Sequence, residues 1–89
     1  MDTALSQNSP HVRNLAAHGI SVRDLKPASA YEHRWRIIAS KPAGMEVNTF
    51  KRHLAYFLEM EYEASEFSWF TSTKLGPMYV TVSFKSFAL

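Results

Sequence analysis

The sequence predicts an α+β fold: short N-terminal helices, then a β-α-β-β core in which one amphipathic helix covers one face of a three-stranded, mainly antiparallel sheet. Three observations carry this expectation. Apolar and polar residues alternate over 31–39, apolar residues recur at helical spacing from Met45 to Leu58, and two β-rich runs flank Leu75-Gly76-Pro77. A length of 89 residues suits one domain over 1–89 with a single core.

Residues 1–8 are polar with one leucine and no periodicity, the pattern of a flexible terminus. At Ser9-Pro10 the serine can cap a helix whose first position suits the fixed φ of proline, and Val12, Leu15 and Ala16 follow at helical spacing. Gly19 supplies a stop. Ser21 and Asp24 repeat the start signal as a capping box, and Pro27 limits this second helical piece to about one turn.

Over 31–39, Tyr31, His33, Trp35 and Ile37 share one face of a strand, with Glu32, Arg34, Arg36 and Ile38 on the other. Pro42 and Gly44 end it. A helix then begins near Met45, with Val47, Phe50, Leu54, Phe57 and Leu58 confined to about a third of its circumference, the width expected for packing on a sheet. Phe67–Thr73 and Met78–Phe87 read as two strands of an antiparallel hairpin around Gly76.

Composition narrows the function classes. A hydrophobic fraction of 46% with 20% charged residues is that of a folding chain, not a disordered one. With no cysteine there is neither a disulfide framework nor a thiolate metal site, which favours a reducing, cytoplasmic setting. No leader pattern opens the chain and no apolar run reaches the roughly 18 residues of a membrane span, so no membrane partner is expected. Ten Lys and Arg against eight Asp and Glu is too small an excess to specify a nucleic-acid binder by charge alone.

Catalytic and metal motifs are missing. The histidines at 11, 18, 33 and 53 include no i, i+4 pair and no His-Glu-x-x-His, and the three glycines form no phosphate loop. No cofactor or metal is expected. One enzymatic reading survives: a small metal-free ribonuclease with His33 or His53 as proton carrier beside Arg34, Arg36 or Lys51.

The leading expectation is a non-enzymatic regulator or inhibitor that docks on another protein, in the manner of phage-encoded inhibitors of host machinery. Opposite the core stripe of the long helix, Met45, Arg52, Tyr56 and Met60 form a second stripe of interface-like composition. Lys51 and Arg52 lack acidic partners at helical spacing, while Glu59 and Glu63 form a like-charge pair, so these charges look for partners elsewhere. The competing expectation is a nucleic-acid binder. Alternation places Arg34, Arg36, Phe70 and Lys74 beside Tyr79 and Lys85 on the sheet face away from the helix, a set that single strands can stack on. A bland alternative has Phe70 covered by the N-terminal helices. A free sheet edge would also serve a homodimer.

The stretch Leu15-Ala16-Ala17-His18-Gly19-Ile20-Ser21-Val22-Arg23-Asp24-Leu25 resembles the opening of helix-turn-helix segments in site-specific recombinases and transposases. In those families a second helix follows and reads the major groove. Here Pro27 and the strand from Tyr31 occupy its place, so the resemblance covers eleven residues without a recognition helix.

Overall fold

The computed structural model describes residues 9–71, 74–76 and 78–89. The expected flexible terminus at 1–8 lies outside these residues, as do Ser72, Thr73 and Pro77 of the expected hairpin. The elements run α1 (Pro10–Ala17), β1 (Ser21–Ser29), β2 (Arg34–Ser40), α2 (Val47–Tyr62), β3 (Ser65–Thr71) and β4 (Tyr79–Lys85). One sheet of order β1-β2-β4-β3 holds all four strands, and every neighbouring pair is antiparallel.

The α1 helix forms from the signals that predict it. The Ser9 side chain accepts the His11 N–H at 3.2 Å, and Pro10 opens the first turn. At the far end Gly19 adopts φ +79°, which lets its own N–H and that of Ile20 reach the carbonyls of Ala16 and Leu15.

The stretch after Gly19 corrects the expected second helical piece: it is an edge strand, so the sheet has four strands rather than three. Ser21, Val22 and Arg23 pair with Ser40, Ala39 and Ile38, giving their backbone groups partners that a single helical turn would leave largely unmet. Asp24 and Pro27 then have a different meaning from the capping box and stop. Asp24 sits at φ +57° in a bulge between Arg23 and Lys26, and Pro27 is tolerated on an outer strand beside a second register shift. The eleven residues that resemble a helix-turn-helix opening therefore run from α1 into β1.

The second strand also starts later than its alternation suggests. Ala30–His33 form the turn between β1 and β2, with His33 at φ +55° and Tyr31 almost fully exposed at 99%. Tyr31 and His33 thus belong to a hairpin tip, not to the apolar face of β2.

Both helices lie on one side of the sheet. From α2, Phe50, Leu54, Phe57, Leu58 and Tyr62 pack with Ile37 and Ala39 of β2 and Val82 and Phe84 of β4, while α1 adds Val12 and Leu15 and β1 adds Leu25. Each fully buried Val, Leu, Ile or Phe among them contributes roughly 1.5–3 kcal/mol of transfer free energy. Val47, expected in this stripe, is instead half-exposed, because it is the first residue of α2 and overhangs a cleft beside β3. Tyr62 stacks on Phe84 at 6.2 Å and meets the Phe57 edge at 5.9 Å; burial, with Glu61 adding to it, pushes its phenol up to about 12. The buried Ser86 hydroxyl donates to the Tyr62 carbonyl and accepts the Ala88 N–H, fixing the chain after β4 to the end of α2.

Candidate functional site

Antiparallel partners share a sheet face, so the register defines what the side away from the helices presents. One row is Arg23, Ile38, Thr81 and Phe70; the next is Lys26, Arg36, Ser83 and Ser68; a third carries Ser29, Arg34 and Lys85; and Ser21, Ser40 and Tyr79 form a row at the opposite end. Five of the chain's ten Lys and Arg, namely Arg23, Lys26, Arg34, Arg36 and Lys85, therefore stand on this one face. Among the described residues no element packs over it, and α1 lies against α2 on the other side.

Two of the cross-strand pairs are of like charge. Lys26 lies opposite Arg36, and Arg34 opposite Lys85. Such pairs are directly unfavourable at ~5 Å Cβ separation, and nothing in the core requires them. The close contacts of these cations gather at the Arg34 end. There the Arg34 guanidinium donates to the Ser83 hydroxyl at 2.9 and 3.1 Å and to the Glu66 carbonyl at 3.0 Å, and Lys85 lies 3.6 Å from the Glu66 carboxylate. Arg23 approaches Asp24 at 3.9 Å, an exposed contact of little energetic weight. Among the described residues Lys26 and Arg36 make no ion pair.

Aromatic rings accompany the charges. Phe70 is 55% exposed on this face, so the helices do not cover it. Arg23 lies over the Tyr79 ring, 5.3 Å from its centroid. Between them Ile38 is only 8% exposed without belonging to the core on the helix side. It forms a small apolar patch under the surrounding side chains.

Of the sheet residues named from sequence, the fold thus brings Arg34, Arg36, Phe70, Tyr79 and Lys85 onto one surface. Lys74 is exposed in the turn beyond the end of β3. Sequence reasoning missed Arg23 and Lys26, because they belong to the strand it read as a helical turn. Their signal was recoverable: Val22 and Leu25 face inward on either side of a single inserted residue, which restores the alternation once a bulge at Asp24 is allowed.

The helix residues named from sequence are distributed differently. Arg52 and Glu59 are exposed, and Tyr56 and Met60 are half-exposed, but Met45 packs partly against the core and Tyr56 meets the His11 ring edge-on at 6.4 Å. Glu63 ends α2 in a left-handed conformation at φ +53°, its N–H reaching the Glu59 carbonyl. Ser9, the residue that caps α1, donates to the Glu61 carboxylate at 2.7 Å and so ties the start of α1 to the end of α2.

His33 lines a small pocket together with Arg34, and the other histidines that interact do so elsewhere. His53 stacks on His18 at 4.0 Å in the helix layer, whereas His33 is in the β1–β2 turn against Phe87. Among the described residues no group of three or more His, Cys, Asp or Glu is placed to hold a metal, and no helix is long and apolar enough to cross a membrane. Comparison of the chain with protein-family models, with curated proteins and with solved structures gives no significant match.

Proposed function

We propose that the chain binds single-stranded nucleic acid on the open face of its sheet. The observation that supports this most is the alignment of Lys26 with Arg36, neither of which makes an ion pair among the described residues. Like charges facing one another cost stability in the free protein, and a polyanion laid across the strands converts that cost into attraction. Exposed Phe70 and half-buried Tyr79 add rings on which bases stack without regard to sequence, while Arg34, with Nε and Nη2 held by Ser83 and the Glu66 carbonyl, keeps Nη1 for a phosphate.

The test is titration of a fluorescent single strand at several salt concentrations. Neutralisation of about four phosphates gives a log–log slope near −3, at ~0.7 per contact. Arg36→Glu is expected to weaken binding more than tenfold without lowering the melting temperature. Absence of binding at low salt overturns the reading.

A second reading, docking of another protein on α2, is supported by the half-exposed Tyr56 and Met60 beside Arg52. It ranks lower because Tyr56 and Met45 already have contacts within the chain. Under that reading a regulator or inhibitor acts through Arg52, Tyr56, Met60 and Glu59. A partner captured by the wild type and lost by Arg52→Ala with Tyr56→Ala would favour it.

A further inference from the structure

Beside the edge strand β3 a cleft of ≈ 230 Å³ opens between that strand and the first turn of α2. Its lining includes Lys41, Val47, Lys51, Trp69 and Phe70, and no acidic residue contributes to it. The volume is below the roughly 300–1,000 Å³ that drug-sized ligands occupy, and suits one planar ring.

The two lysines differ in how they are held. Lys41 donates to the Met45 carbonyl at 2.8 Å and to the Pro42 carbonyl at 3.4 Å, which fixes its ammonium in the cleft wall. Lys51 lies 5.5 Å from the centroid of the Trp69 ring, on a flexible stem that reaches outward from α2. An aromatic wall with one fixed and one movable cation fits a planar base carrying a phosphate. Phe70 links this cleft to the open sheet face, because it follows Trp69 on the strand, lines the cleft, and sits in the row with Thr81 and Ile38.

We infer that a strand bound on the open face turns over the β3 edge at Phe70 and places one base in this cleft against Trp69, with Lys51 taking the adjoining phosphate. This rests on the nucleic-acid reading above and adds a second, pocketed site to it. The fixed volume makes that position sensitive to base size, whereas stacking on the open face is not.

The experiment uses the native chain and a single strand of about a dozen nucleotides, within the range that single-strand-binding domains cover, carrying a photoreactive 5-iodouracil at successive positions. Cross-links are mapped by mass spectrometry. The expected result is a cross-link at Trp69 from one position, with others at Phe70 or Tyr79, and about a tenfold loss of affinity in Lys51→Ala at unchanged melting temperature. Binding with no cross-link at Trp69, or with undiminished affinity in Lys51→Ala, overturns the cleft while leaving the open face intact. Failure of the strand to bind at all overturns both.

Discussion

The two faces of the sheet are built from the same strands and have opposite economies. On β2, Trp35, Ile37 and Ala39 point to the helices while Arg34, Arg36 and Ser40 point away; on β4, Val80, Val82 and Phe84 alternate with Thr81, Ser83 and Lys85. The helix face removes apolar surface from water and stabilises the fold. The open face gathers like charges that work against it. The two sets of residues should therefore respond to substitution through different observables, stability for one and ligand affinity for the other.

The largest expected effect is on the helix face. Phe84 is fully buried and stacked on Tyr62, so Phe84→Ala should cost about 3–5 kcal/mol in chemical denaturation, enough to threaten folding of a chain this small. A loss below ~1 kcal/mol would mean that the core lies elsewhere. The adjacent pair Ile37 and Ile38 sharpens the contrast, since the two side chains have the same volume and opposite directions. Ile37→Ala should cost ~2–4 kcal/mol and Ile38→Ala clearly less, because Ile38 lies on the face away from α2 and outside the core cluster. Equal losses would break the division of faces. The smallest effect has the opposite sign. Arg36→Gln removes one of the facing charges and should raise stability by a few tenths of a kcal/mol at low salt, a gain that disappears as salt is added.

Much of this architecture is legible in the chain where local and tertiary preferences agree. The apolar stripe Phe50, Leu54, Phe57 and Leu58 has one interpretation and the fold adopts it. The alternation in β2 and β4 likewise puts Arg34, Arg36, Tyr79 and Lys85 on one side, where the register also has them. Legibility ends at β1. There Ser21, Asp24 and Pro27 carry strong local signals for a capped helical turn, and a bulge interrupts the period-two pattern that would have competed with them. The energy that decides the matter is non-local, coming from pairing along β2 and from burial of Leu25, and neither can be read within a short window. The same failure hid Arg23 and Lys26, and with them the like-charge row on the open face.

The irregularities of the outer strands have a consequence for how the molecule behaves in a crowd. A sheet whose outer strands carry no further strand among the described residues invites a foreign one to add itself, and growth by repeated addition ends in fibrils. On β1 the regular ladder lasts only from Ser21 to Arg23 before the bulge, and on β3 it is confined to Ser68–Thr71 beyond the shift at Glu66. An incoming segment meets a kink, and on β1 a proline without an N–H to offer, within three or four residues. The features that disguised β1 in the sequence thus also act as terminators of lateral growth.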